Sequence, residues 1–298
     1  MATQINYKQI KAEADLYKYQ IVPSISSWSI TVALKNYLWQ DPSVTTPVKV
    51  QIWDTVRTIT YPCSSTEPSW LNIYNAWSSE LATKEIDYFV YLQQKPWEPI
   101  YIWFSRIPNA ITSNDFNPVV WNEKYSSLNY NNNWQNAPVV NIGRFSAILS
   151  ASPYTWSTPS AGFQVINYPI FESKLLEYYW YYYTNWTTWT TNISYDNKYK
   201  IVWSEVHLFI WNTINSISWS TWIVKFRLPF NLTNNTVNEI PINWFICKYG
   251  ENPITQWKWQ PIITTSSSLD FLVWVDAGAY TWDLLTNERI RINWFYQI

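Results

Sequence analysis

The sequence predicts an all-β protein, two antiparallel β-sandwich or jelly-roll-like domains in tandem. Three observations predict it. Short runs that alternate apolar and polar residues recur at a spacing of about 8–12 residues, which suits a sandwich or barrel. Helical patterning is thin, confined to Ser79–Ile86 and Ser173–Tyr178, each long enough for a turn or two. Strand-like runs do not alternate with helix-like ones, which argues against a parallel sheet flanked by helices.

Taken in order, residues 1–20 form a polar lead-in with scattered aromatics. A first β domain covers 21–150, with strands expected at Ser29–Leu34, Val48–Ile52, Thr55–Thr60, Asp87–Leu92, Ile100–Ile107 and Val139–Ile148. Ser, Thr and Pro concentrate in 151–169, the composition of a linker. A second β domain covers 170–298, with strands expected at Lys198–Val202, Glu205–Ile210, Trp222–Leu228, Ile240–Cys247, Pro261–Thr265, Leu269–Val275 and Arg289–Ile298.

Composition narrows the function classes. Charged residues are 14% of the chain and the net charge is −1. Such a chain has no field to attract nucleic acid or an anionic membrane surface, and the cluster Lys198–Lys200 is too small for a phosphate track. No run approaches the roughly 18 apolar residues of a membrane span, and the first residues lack the apolar core of a signal peptide. Cys63 and Cys247 stand far apart, with neither a disulfide framework nor a metal-ligand set around them. No cofactor is expected.

Trp numbers 23 and Gly only 4. Average usage would give roughly 20 Gly in a chain this long. Two-residue hairpin loops need positive φ and favour pairs such as Asn-Gly, Gly-Asp and Gly-Ser. Here the pairs Trp53-Asp54, Trp203-Ser204, Trp211-Asn212, Asn243-Trp244 and Asn293-Trp294 separate alternating runs where that glycine chemistry belongs. Most of these Trp therefore read as glycine codons translated as Trp. The triplet UGA is a stop in the common code, Trp in some codes, and Gly in a few bacterial lineages and their viruses. Trp156 and Trp274 fit no hairpin pattern and read as genuine Trp.

Chemistry-bearing patterns are sparse. The one histidine, His207, lies in the alternating run Glu205–Ile210 and reads as a strand residue. Asp115 and Glu123 form the nearest thing to a glycosidase pair, yet solvated loop acids are the plainer reading. No catalytic residue is assigned and the chain is expected not to be an enzyme. The run Leu176–Tyr183 holds five Tyr within six positions. Tyr179, Tyr181 and Tyr183 are the candidate ligand-binding residues, because an aromatic ring offers a sugar an apolar face and a polar edge. The competing reading is a strand buried on both faces.

With glycine restored at the turns, the chain resembles virion-associated proteins of phages. The segments Ala82–Leu92, Ile102–Pro108, Asn122–Tyr125, Ile142–Phe145 and Tyr154–Trp156 look like a domain that recurs in phage and metagenomic virion proteins. Tyr199–Trp203, Leu228–Phe230 and Asn293–Tyr296 look like the distal β-sandwich of tail-fibre and spike proteins. The resemblance implies a tail fibre or receptor-binding protein on the virus particle. It implies a homotrimer that contacts other virion or tail proteins and a host surface glycan or protein, but neither nucleic acid nor membrane. The alternatives are a carbohydrate-binding or lectin-like module with genuine Trp, a polysaccharide depolymerase, and a capsid shell protein.

Overall fold

A computed structural model describes residues 18–67, 84–94, 98–116, 137–150, 155–177, 192–216, 223–227, 244–248, 260–265, 268–272 and 288–297. For 114, 116, 192–196 and everything beyond 209, the backbone alone is described. The chain is all-β, and every described strand pair is antiparallel. The helical segment among the described residues is the short 3-10 turn Ser113–Phe116. Two compact units are distinguishable: residues 1–76 with 85–172, and residues 77–84 with 173–298.

The first unit holds β1 (Tyr19–Ser26), β2 (Ser29–Asn36), β3 (Val48–Ile52), β4 (Thr55–Ile59), β5 (Cys63–Glu67), β6 (Glu85–Gln94), β7 (Ile100–Ser105), β8 (Val139–Leu149) and β9 (Trp156–Ser157). These form a three-stranded sheet β1-β2-β5, a hairpin β3-β4 and a four-stranded sheet β7-β6-β8-β9. Strand β2 shows why its sequence folds so: Ile30, Val32, Leu34 and Asn36 are buried and alternate with half-buried neighbours. That is the period-2 signature of a strand with one covered face.

Strand β6 differs, because eight consecutive residues, Ile86 to Gln93, are buried. A strand sequestered on both faces reads as a continuous apolar run rather than an alternation. On one face Tyr88 packs with Phe104, Phe145 and Trp156, ring centroids 5.4–5.6 Å from its own. Strand alternation sends Phe89 and Tyr91 to the other face, where they cluster with Trp103 and Val139. Tyr91 and Trp103 stack there at 5.2 Å.

Residues 155–172 belong to this unit. The bridge Arg144↔Ile166 and the hydrogen bond from Ile21 N to Asn167 Oδ1 (2.7 Å) tie them to β8 and β1. Near the centre of β8 the register shifts: Val90 pairs with Gly143 and Tyr91 with Asn141, so Ile142 is the extra residue of a β-bulge. Asn141 organises it. Its Oδ1 accepts from Gly143 N at 2.9 Å, and its Nδ2 donates to Pro108 O and Ile170 O, each at 2.8 Å. Tyr19 donates its hydroxyl to Ile142 O at 2.6 Å, engaging the carbonyl the bulge turns aside.

The second unit holds β10 (Leu176–Glu177), β11 (Asn192–Val202), β12 (Glu205–Ser216), β13 (Ile223–Arg227), β14 (Trp244–Lys248), β15 (Gln260–Thr265), β16 (Ser268–Leu272) and β17 (Glu288–Gln297). They form a five-stranded sheet β10-β11-β12-β17-β14 and a three-stranded sheet β13-β16-β15.

Three sequence expectations need correction. Ser173–Tyr178 carries no helical turn among its described residues. Ser173 N donates to Ile201 O and Ser173 Oγ accepts from Ile201 N, each at 2.9 Å, and Leu176–Glu177 then pair with β11 as a strand. In Ser79–Ile86 the last two residues already open β6, and 79–83 lie outside the described residues. Trp211 and Trp294 do not sit at turns. Trp211 pairs with Asp196 and with Arg291 deep in the five-stranded sheet, and Trp294 pairs with Leu208. Trp244 opens a strand, while Trp53 and Trp203 occupy hairpin turns as expected.

Candidate functional site

Tyr179, Tyr181 and Tyr183 lie outside the described residues, as do Glu123 and Trp274. The other chemistry-bearing side chains are placed. His207 stands on β12 with Nε2 3.3 Å from Glu205 Oε2, both groups about one-third exposed. Residues two apart on a strand share a face, so this contact follows from the strand reading of Glu205–Ile210. Asp115 uses one carboxylate oxygen, Oδ2, to accept from Ile111 N (2.7 Å) and Thr112 N (2.8 Å). It thereby holds the turn that leads into Ser113–Phe116. Among the described residues no three of His, Cys, Asp or Glu come together as a metal site, and no helix is long and apolar enough to cross a membrane.

Cys63 is buried at the start of β5, where its thiol donates to Ile100 O at 3.5 Å. Burial pushes this thiol up to about 12, against a backbone hydrogen bond with Ile102 that pulls it down. The thiolate is the reactive species, so the native protein should hold Cys63 inert at neutral pH. In a Cys247→Ser background, a thiol reagent at pH 8 is expected to label the chain only after denaturant is added. Rapid native labelling would contradict the burial. The sign for stability follows: the unfolded thiol releases its proton first, so stability falls as pH rises from the usual thiol range towards 12. Tyr61 and Tyr91 are also raised, chiefly by burial, and act in the same direction.

A buried polar cluster among the described residues of the first unit has no signature in the sequence. Asp87 on β6 lies opposite Ser146 on β8, with Phe89 opposite Arg144. This register places Asp87, Arg144 and Ser146 on one face of the sheet. Asp87 Oδ1 accepts from Ser146 Oγ at 2.8 Å, and Oδ2 accepts from Arg144 Nη1. The Asp87 carboxylate is fully buried, and the Arg144 side chain is 13 % exposed. Burial lowers the Arg144 guanidinium from its usual range, while Glu172, Tyr168 and Glu85 pull it back up. The arrangement is a lock between two central strands: both carboxylate oxygens are engaged and the carboxylate itself is buried.

Among the described residues, several aromatic side chains face water. Trp28, Tyr37, Leu38, Trp39, Trp53 and Trp203 are large apolar side chains exposed at or beside turns. Searches against protein-family profiles, curated proteins and solved structures find no match to this chain.

Proposed function

We propose that this chain is a structural component of a virus particle, a tail fibre or spike that binds a host surface receptor or glycan without catalysing a reaction. The observation that supports the reading is the way polar groups are used in an all-β fold whose described strand pairs are all antiparallel. Asp87, Arg144 and Ser146 lock strands together, and Asn141 and Asp115 hold a bulge and a loop. Polar groups used in this way hold strands and loops in place, which leaves turns and sheet edges as the proposed contact surface. The resemblance of Ala82–Leu92 and Ile142–Phe145 to phage virion proteins gives that surface its context. The assembly is proposed to be a homotrimer located on the particle, contacting other tail proteins. The two compact units are proposed to be tandem domains, one facing the particle and one the host.

Antibodies against the chain should decorate intact particles in immuno-electron microscopy, and the purified chain should sediment as a trimer and bind host cells. Absence from particles, or a monomer that binds no host surface, would sink the proposal. The second reading, a carbohydrate-binding module, is favoured by the exposed indoles of Trp28, Trp39, Trp53 and Trp203. It requires glycan affinity to collapse when these four are changed to Ala.

A further inference from the structure

Six Trp have described side chains, and they fall into two groups with nothing between. Trp28, Trp39, Trp53 and Trp203 are 61%, 65%, 54% and 52% exposed, with φ of 72°, 64°, 56° and 57°. Trp103 and Trp156 are 2% and 3% exposed, and neither has positive φ. Left-handed backbone brings Cβ against the carbonyl that follows, so a bulky L-residue there is an outlier and Gly is the ordinary occupant. A single such Trp would be a curiosity. Four of six in one chain point to a common cause.

The turns themselves specify what belongs at these positions, and they do so in three different geometries. Ser27 and Trp28 form the two-residue loop between Ser26 and Ser29, and both have positive φ. That is the pattern of a type I′ turn, whose second position favours Gly. Trp53-Asp54 and Trp203-Ser204 join Ile52 to Thr55 and Val202 to Glu205. Only their first residues have positive φ, the type II′ pattern, with Gly at the first position. In the loop after β2, Trp39 N donates to Asn36 O at 3.0 Å and Asn36 N donates to Gln40 O at 2.8 Å. This is a three-residue loop with a left-handed residue in third place, again a Gly position. An authentic glycine offers the comparison: Gly162 N donates to Pro159 O at 2.8 Å with φ of 80°. Trp39 occupies the place in its turn that Gly162 occupies in its own.

The two buried Trp tell the opposite story. Trp156 packs against Tyr88 and Phe104, and Trp103 stacks on Tyr91. A glycine at either position would leave a cavity the size of an indole in the aromatic core.

We infer that the natural polypeptide carries glycine at 28, 39, 53 and 203 and tryptophan at 103 and 156, the gene writing UGA at the first four positions and UGG at the other two. Trp53 is the hardest of the four to assign, since its Nε1 donates to Ile111 O at 3.3 Å. That bond is long and exposed to water, and the backbone decides the position. The inference removes from the surface the four exposed indoles that favour a sugar-stacking module, and it stands independently of where the protein acts.

Two experiments test it. Peptide mapping by mass spectrometry of the protein from its natural source should find Gly at 28, 39, 53 and 203, and Trp at 103 and 156. Trp at any of the first four, or Gly at either of the last two, overturns the assignment. The second experiment needs no natural source. Changing all four exposed Trp to Gly, or all four to Ala, removes the same indoles, but only Gly removes Cβ. The four-Gly variant should melt higher than the four-Ala variant, by on the order of 5–10 °C. Equal melting temperatures would overturn the backbone argument.

Discussion

Gly143→Ala should unfold the first compact unit, a loss of at least about 4 kcal/mol in a denaturant titration, where ordinary substitutions cost far less. Gly143 lies in the β8 bulge at φ 150°, opposite Val90. A Cβ there would overlap the carbonyl oxygen of Ile166, with Ile21 Cδ1 only 2.7 Å away. The oxygen is backbone and cannot turn aside. It also accepts from Arg144 N, and Ile166 N donates in return to Arg144 O, so moving it opens the bridge between β8 and the 155–172 segment. Asn141 would lose its 2.9 Å bond to Gly143 N in the same displacement. Gly162→Ala is the control. It shares a positive φ but has open space where Cβ would go, so only the backbone term of about 1–2 kcal/mol applies. If the two variants melt together, the close approach at Ile166 is not what makes Gly143 necessary.

How much of this was legible in the sequence depended on whether the signal was local. Val48–Ile52 reads as a strand and is one, because Val48, Val50 and Ile52 alternate with Lys49 and Gln51 and the next pair is a turn. Strand β1 was missed because Pro23 interrupts it. The structure places Pro23 opposite Val32 on an edge strand, where a missing N–H is tolerated. Strand β5, Cys-Ser-Ser-Thr-Glu, is also an edge strand and too polar to show its pattern.

The turn reading succeeded at Trp53 and Trp203 and failed at Trp211 and Trp294, for one reason. A pair such as Trp-Asn favours a turn only when the flanking strands end there. At Trp211 the register begun at Val202↔Glu205 runs on through Trp211↔Asp196, and β17 holds the other side of β12. Pairing on both sides overrides a two-residue preference, and no dipeptide carries that information. Trp156, singled out because it fitted no hairpin, is in the aromatic core. The Asp87–Arg144 lock was beyond sequence reasoning for the same cause. The two residues meet only once the register between β6 and β8 is set, including its one-residue bulge.

That lock carries the other large effect. Asp87→Ala should destabilise the first unit by about 3 kcal/mol, because it removes the buried hydrogen-bonded partner of the mostly buried Arg144 guanidinium and leaves it only the longer-range pull of Glu172 and Glu85. The stranded cation, rather than the lost attraction, dominates. The double variant Asp87→Ala, Arg144→Met should therefore be more stable than Asp87→Ala alone, since a flexible apolar side chain fills the volume and no guanidinium is left without its buried carboxylate. Ser146→Ala removes only the 2.8 Å bond to Oδ1 and should cost about 1 kcal/mol. Urea titrations of the three variants read these differences directly. Raising the salt concentration should leave the Asp87→Ala deficit unchanged, because a buried pair is poorly screened. If the double variant is as unstable as the single one, Arg144 serves the fold through contacts other than Asp87. If the deficit shrinks with salt, the pair is wetter than its burial implies.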